Sequence, residues 1–475
     1  MTVQQHAMTQ TVLVYEDDPG PPLQENVPVR HPVPQLDTQP FPTVIAEAVP
    51  QPDSAGPGTP AFRYWVAADA LSTGCQTWGP LVPTGTQWVP SVGRVLSVHL
   101  DEGVDLNAFY DRRSLKFFHQ RVEGVDVFSG GSPEIVRHEL GHAVLDALRP
   151  QLWHAAMHEA DALHEAFGDI SALLTALQME SLRTAVLTHT QGRIEQSSRM
   201  SRLAEQLGWA LDKVAPGAAE PDCLRNMSNR FFYRDPVELP PSGPANMLTS
   251  GPHSFSRVFS GAFLKIVAGI FRQQDSQDQA ALAEAGRIAG QLLVDAVVAA
   301  PVVAGYYAQV AGHMIAADQR RHSGRYGTSL RSAFTRHGIL SLNAATSLTA
   351  QEIALQGAAM AEATPGGRDE DGLTAVTVQG AGYGITGPLT LYAPGESRRF
   401  GVAGSDPAGG SVRPADPEQV ATSYLEDLLR RGRVEIPAEN RSHVAIVDDS
   451  PRLKTHEIVR SETADGLALV RRCFD

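Results

Sequence analysis

The spacing of apolar residues changes character three times along the chain. Up to about residue 60 there is no period. PGPPLQENVPVRHPVPQLDTQPFPTV, from Pro19 to Val44, mixes Pro with polar residues and predicts an extended, polyproline-prone arm over 1–60. From Phe62 onward, short apolar runs are punctuated by Gly and Pro. FRYWVAADAL, TQWVPS, VGRVLSVHLDE, NAFYDRRSLKFFHQ and VDVFSGG predict a β-rich part. From Ser132 to about Leu342 the spacing is helical. Ser132 suits an N-cap and Pro133 the first helical position, and Ile135, Val136, Leu140, Ala143 and Val144 keep one apolar stripe. Leu163, Ala166, Phe167, Ile170, Leu173 and Leu177 keep another. Further helices are predicted at SRMSRLAEQLGWALDKV, FSRVFSGAFLKIVAGIF, QAALAEAGRIAGQLLVDAVVAA, GYYAQVAGHMIAADQRR and TSLRSAFTRHGI. The long aperiodic stretch 215–254 interrupts them, and a loop of that length in a compact domain is functional or mobile.

Beyond residue 342 the pattern changes again. A helix at LTAQEIALQGAAM leads through the linker TPGGRDEDG to LTAVTV and PLTLYAP, a helix at PEQVATSYLEDLLRR, and strands at HVAIVDD, KTHEIVRS and LALVRR. Residues 343–475 therefore read as a small α+β unit, with Asp448 and Asp449 at a solvated strand end. The whole chain is of the α+β class.

Composition narrows the function. At 475 residues the chain exceeds one ordinary core, and 42% hydrophobic with 19% charged content is that of a soluble globular protein. A net charge of −14 argues against a nucleic-acid-binding surface and against docking on acidic membranes. No stretch reads as a membrane span. MTVQQHAMTQTVLVYEDD has neither a basic n-region nor an apolar h-region, and Cys75, Cys223 and Cys473 make no disulfide framework. Both point to a cytoplasmic setting, with leaderless export left open.

One stretch carries chemistry: His138-Glu139-Leu140-Gly141-His142. On a helix the two histidines stand one turn apart on one face, where they can hold a single Zn²⁺ with Glu139 beside the metal. A third ligand is needed, and ALHEAFGDISALL offers Glu165 with Asp169 one turn further on. Glu159 and Asp161 lie on the same predicted helix, and spacing does not choose among the carboxylates. A catalytic zinc keeps its fourth position open, whereas a structural one closes it, for which His154, His158 and His164 are the candidates.

Several segments in order resemble the thermolysin family of zinc metallopeptidases. NAFY at 107–110 is similar to its substrate-edge strand, and SGG followed by HELGHAV to its active-site helix. HEAFGDI, LRNMS at 224–228, GPHSFSRVFSGAF and LRSAFTRHGIL resemble later motifs, so the likeness covers roughly 60–342. It implies a two-lobe metallopeptidase domain over 61–342, with a β-rich and then a helical lobe, between the arm 1–60 and the accessory unit 343–475. It implies one zinc per chain on His138, His142 and Glu165, with Asp169 orienting a histidine and Glu139 as general base. His253 would stabilise the transition state, Arg225 would hold a substrate carbonyl, and Asn107 and Ala108 would hold the peptide backbone. The expected partner is a peptide or protein substrate. The chain departs from the pattern in four places. The separation of His142 and Glu165 is slightly long, and Trp153 stands where the family has a Tyr donor. No carboxylate partner for His253 is evident near Leu248–Ser250, and the acidic clusters that bind calcium are missing after Ala172, so no structural calcium is expected. Two other classes remain: a catalytically silent zinc-binding peptide-recognition module, and an assembly component whose recognition lies in 346–475. The Pro-rich arm is a candidate cover for the groove.

Overall fold

The computed structural model describes residues 10–22, 26–52, 56–347, 373–396, 404–408, 410–413, 415–442, 452–461 and 466–474. They form a mixed α+β structure, in which a body of helices accompanies several small sheets. The proline-rich arm has structure of its own. β1 (Thr11–Val14) pairs antiparallel with β2 (Val29–Pro32), and β3 (Thr43–Ile45) runs parallel to β4 (Leu96–His99). Val12, Val14 and Phe41 are fully buried, so this stretch is core, not a cover laid over a groove.

FRYWVAADAL, expected as a strand, lies inside α1 (Pro60–Trp78). The Thr59 hydroxyl accepts from the Phe62 N–H at 3.2 Å and Pro60 opens the helix. α1 buries Phe62, Tyr64, Trp65, Val66, Leu71 and Trp78 around most of its girth. With no polar face to mark the helical period, its aromatic and β-branched start imitates a strand. TQWVPS forms no strand either, and the Trp88 indole N–H instead donates to the Pro42 carbonyl at 2.9 Å.

β5 (Ala108–Tyr110) and β6 (Ser114–Phe117) complete a four-stranded sheet in the order β3-β4-β6-β5. β5 is antiparallel to β6 and lies at the edge. β7 (His119–Val122) and β8 (Val125–Phe128) make a separate hairpin that leads to the motif helix. The helical region holds α2 (Pro133–Leu148), α3 (His158–Ala176), α4 (Glu180–Thr190), α5 (Glu205–Val214), α6 (Pro252–Phe271), α7 (Gln279–Ala299), α8 (Tyr306–His322), α9 (Gly327–Arg336) and α10 (Leu342–Ser347). The helix expected from Ser198 begins only at Glu205, because β9 (Arg202–Leu203) pairs with β10 (Arg225–Asn226) out of the long loop. α6 is long and apolar enough to cross a membrane, contrary to the sequence reading. Yet 89% of its apolar window is buried within the fold, as befits a core helix.

In the C-terminal unit, β11 (Thr374–Gln379), β12 (Pro388–Ala393), β15 (Val434–Glu435), β16 (His456–Arg460) and β17 (Leu467–Arg471) form one sheet, ordered β11-β12-β17-β16-β15. β13 (Gly404–Ser405) and β14 (Ser411–Val412) pair separately. α11 (Pro417–Arg430) packs Tyr424, Leu425 and Leu428 against Leu389, Leu391 and Ile458 of the larger sheet. The unit is joined to the helical body through backbone as well as side chains. The Ala156 N–H donates to the Tyr392 carbonyl at 2.8 Å, and Arg471 Nε to the Trp153 carbonyl at 3.1 Å. The helix expected at 348–360, the linker 364–372 and the strand 443–449 with Asp448 and Asp449 lie outside the described residues.

Candidate metal centre

α2 starts as its sequence dictates. Pro133 opens it, and the Ser132 hydroxyl accepts from the Ile135 N–H at 3.4 Å while donating to the buried Asp18 carboxylate. His138 and His142 therefore face α3, which is packed very close. A Cβ added at Gly141 would lie 2.9 Å from the Gly168 Cα, and one added at Gly168 would lie 2.6 Å from the His138 ring. Only glycine permits that approach, which brings Glu165 opposite both imidazoles.

His138, Glu139 and His142 form a buried group, with ligand atoms within 4.8 Å of one another, that could hold a metal ion. One Glu165 oxygen lies 3.5 Å from His138 Nε2 and the other 3.7 Å from His142 Nε2. Donors about 2.0–2.1 Å from a tetrahedral zinc stand roughly 3.4 Å apart, close to these two distances, each of which runs to a different oxygen of Glu165. The donor chemistry fits as well. Among the described residues, neither ring nitrogen of the fully buried His142 has a hydrogen-bond partner. Burial drives its pKa down to about 3, which keeps the imidazole neutral and free to ligate.

Burial alone would raise the Glu165 carboxyl, but His253, His138 and His142 hold it well below the usual carboxylate range. Burial likewise opposes charge on His138, and the Asp169 and Glu165 carboxylates outweigh it, raising the group to about 9. His138 Nδ1 is 3.1 Å from Asp169, which also accepts from Arg225 Nη2 at 2.8 Å. Asp169 thus has the place of a carboxylate that fixes a ligand's tautomer.

The rival carboxylates are engaged elsewhere. Glu159 accepts from the Tyr233 hydroxyl at 2.7 Å and the Tyr307 N–H at 2.6 Å. Asp161 pairs with Arg471 and accepts from the Tyr424 hydroxyl at 2.7 Å. The histidines considered for a fourth ligand stand outside the converging group. His158 meets Asp427 at 3.0 Å, His154 meets Arg112 at 2.9 Å, and His164 stacks on Phe474 at 3.8 Å.

A groove of about 730 Å³ opens over the centre, with Asn107, Ala108, His138, Glu139, Arg225 and His253 among its lining residues. His253, partly exposed in the first turn of α6, reaches Glu165 at 3.1 Å. In the stretch Leu248–Ser250, where no carboxylate partner for it is evident, Ser250 donates its hydroxyl to Asp427. Trp153 departs from expectation. It is buried and does not line the groove; its ring packs against Tyr110 and Phe474 under the Arg112 guanidinium. The indole is turned into the seam with the C-terminal unit and away from a substrate.

Two features escaped the sequence. Arg431, Arg433 and Arg452 of the C-terminal unit line the far wall of the groove. Phe474 pairs with edge strand β5, exchanging both backbone hydrogen bonds with Tyr110 at 3.1 and 2.9 Å, and sets its ring 5.3 Å from that of His142. No local motif marks either. No family model matches the chain, and no curated protein matches it in sequence.

Proposed function

We propose that the chain is a zinc-dependent, thermolysin-like metallopeptidase that hydrolyses peptide bonds in this groove. The observation that supports the reading is a buried carboxylate, Glu165, set opposite two imidazoles of which one, His142, has no hydrogen-bond partner for either nitrogen among the described residues. His138, His142 and Glu165 would hold the ion. When bound, zinc supplies Lewis acidity toward oxygen and neutralises the Glu165 charge.

The chain's own residues do the rest. Glu139, beside the ligands and lining the groove, takes the proton of the attacking water and passes it to the departing amide nitrogen. His253 donates to the carbonyl oxygen as it gains charge. Arg225, held by Asp169, positions a substrate carbonyl. The start of β5 at Ala108, with Asn107 before it and beyond the pairing of Tyr110 with Phe474, receives the peptide backbone as an added strand.

Glu139→Gln keeps the shape and removes the base. We expect near one zinc per chain to remain by metal analysis, with turnover of a peptide library lower by roughly 10²–10⁴-fold. Full turnover in that variant would end the reading. A silent peptide-binding module is favoured by one observation, the withdrawal of Trp153 from the groove, which removes a donor. It gains the field if the wild-type zinc protein binds peptides and cleaves none.

A further inference from the structure

β5 is short, and part of its outer edge is already taken. The Asp111 N–H donates to the Ser114 carbonyl of β6 at 3.2 Å. By the alternation of an antiparallel pair, Asp111 and Phe109 then face β6, while the backbone groups of Tyr110 and Ala108 face outward. Tyr110 meets Phe474 there, in an antiparallel pairing that exchanges both hydrogen bonds at 3.1 and 2.9 Å. Ala108, the other outward residue, lines the groove, and its N–H donates to Asn107 Oδ1 at 2.9 Å. Among the described residues the groove follows the chain from Asp105 to Ala108, and neither Phe109 nor Tyr110 lines it. Along β5 the groove ends where Phe474 begins.

Phe474 is a fixed part of the core. It is buried, its ring stacks on His164 at 3.8 Å and meets Trp153 at 5.3 Å, and the Arg471 guanidinium lies 4.0 Å from the ring centre. Arg471 is in turn held by Asp161. A residue anchored on so many sides is a stop and not a flap. Its place relative to the centre follows from α2. The Tyr110 hydroxyl donates to Asp146 at 2.9 Å, one turn past His142, whereas Ala108 shares the groove with His138 and Glu139. β5 and α2 therefore advance in the same direction. Two strand residues span about 6.8 Å and four helix residues about 6 Å, which sets Ala108 about level with His142.

A peptide added to Ala108 in the same sense as Phe474 runs antiparallel to β5, so its N-terminal end points toward Tyr110. Between its residue opposite Ala108 and Phe474 there is space for one more, the residue opposite Phe109. We propose that Phe474 closes this end of the groove and makes the enzyme an exopeptidase, which removes one or two residues from the free N-terminus of a peptide. The proposal rests on the peptidase reading and names its substrate class, a chain end and not a chain interior. In the step, the C–N bond after the first or second residue breaks. The hydroxyl of water joins the carbonyl carbon and its hydrogen the leaving nitrogen, which becomes the new N-terminus.

Two fusions test binding apart from catalysis. A random-sequence peptide library is joined to a small folded carrier either by its C-terminal end, which leaves the N-terminus free, or by its N-terminal end. Immobilised full-length zinc-loaded Glu139→Gln protein should retain the free-ended fusion at least roughly tenfold better than the other. The wild type should shorten the free-ended fusion stepwise from its N-terminus, read by mass spectrometry, and leave the other uncut. Phe474→Pro removes the N–H that Tyr110 accepts; it should bring retention of the two fusions within about twofold and permit internal cuts. Phe474→Leu keeps the backbone pairing and should keep the preference. Equal retention by the parent protein, internal cuts by the wild type, or a preference unchanged in a folded Phe474→Pro protein overturns the proposal, and the first two need no variant of Phe474. A preference for the free end without cleavage of either fusion would bring down the peptidase reading, and the exopeptidase with it, while the stop itself held.

Discussion

Two buried clusters of charged residues grow from α3 about one helical turn apart. At the first of these turns Asp161, with Arg471 and Tyr424, joins the helix to the C-terminal unit, and His456 closes the chain of bonds at 3.0 Å from the Tyr424 hydroxyl. One turn on, Glu165 looks at His138 and His142 across 3.5 and 3.7 Å. Both clusters sit in the same low-dielectric interior and combine carboxylate, imidazole and guanidinium. They differ in closure. Both carboxylates have a direct partner, His253 at 3.1 Å in the case of Glu165, but among the described residues the Glu165 side leaves His142 with no hydrogen bond at either ring nitrogen. A closed buried network is a structural joint. An open one costs stability unless something fills it, so openness rather than charge is what points to function.

The largest expected effect separates these roles. Asp161→Ala strands Arg471 in the interior, and breaking a buried pair in this way costs about 3–5 kcal/mol. Its melting temperature should fall sharply, while the rise in melting temperature on adding zinc persists. Glu165→Ala should show the opposite pattern, with the zinc-induced rise abolished. For an intact site at a hundredfold excess over its dissociation constant, that rise corresponds to about 2.7 kcal/mol. Scanning calorimetry with and without zinc reads both variants. If Asp161→Ala also loses the response to zinc, the two clusters are not separate.

A second test uses a third buried carboxylate of α3. Glu159 accepts two hydrogen bonds, yet its carboxyl is raised from 4.5 to about 7, chiefly by burial, which those bonds only partly oppose. Below pH 4.5 the group is protonated in folded and unfolded chains alike and contributes no slope. Between about 4.5 and 7 the folded chain holds the proton more tightly, so stability falls as pH rises through that window. At about 1.36 kcal/mol per pH unit the loss approaches roughly 3 kcal/mol, complete above pH 7. Depressed carboxylates such as Asp427 tilt the other way, so the difference between wild type and Glu159→Gln is the quantity to measure. The variant should lose this downward component in melts taken from pH 4.5 to 8. Parallel curves for the two proteins would show that Glu159 does not titrate in that range.

What was legible in the sequence follows from how local each determinant is. The start of α2 could be read because Ser132, Pro133 and the apolar stripe lie within a few residues of one another. α1 could not, since a helix buried around most of its girth loses its polar face and with it the period. The carboxylates of α3 were visible as a set. Choosing Glu165 from among them needed three-dimensional partners, because Tyr233 and Tyr307 claim Glu159 while Tyr424 and Arg471 claim Asp161. Trp153 was misplaced for the same reason: its surroundings include Phe474, hundreds of residues away in the chain. The arginine wall is the extreme case. Nothing near Arg431, Arg433 or Arg452 in sequence announces that a fold formed elsewhere will set them on the same groove as His138.

The smallest expected effect lies where the two regions touch. A metal-ligating histidine ordinarily has its second ring nitrogen bonded to a carboxylate or carbonyl, which fixes the ring, and loss of such a partner costs about 10–100-fold in metal affinity. In the proposed site Asp169, 3.1 Å from His138 Nδ1, would serve His138 in this way, but Nδ1 of His142 has no partner among the described residues. Flat neighbours hold the His142 ring instead. Phe474 lies 5.3 Å away at 13° to its plane, and His164 lies 5.7 Å away at 30°. Phe474 is itself anchored by its backbone to Tyr110, a pairing that does not depend on the aromatic ring. Phe474→Leu should therefore keep the strand pairing and most of the buried volume, changing stability by less than about 1.5 kcal/mol. It removes the flat surface, and zinc affinity measured by competition with a chelator should weaken by a few fold, short of the tenfold or more that a lost hydrogen bond brings. Unchanged zinc affinity in a stably folded Phe474→Leu protein would mean that His142 is oriented by the α2–α3 packing alone. The C-terminal unit would then meet the metal side only as a wall.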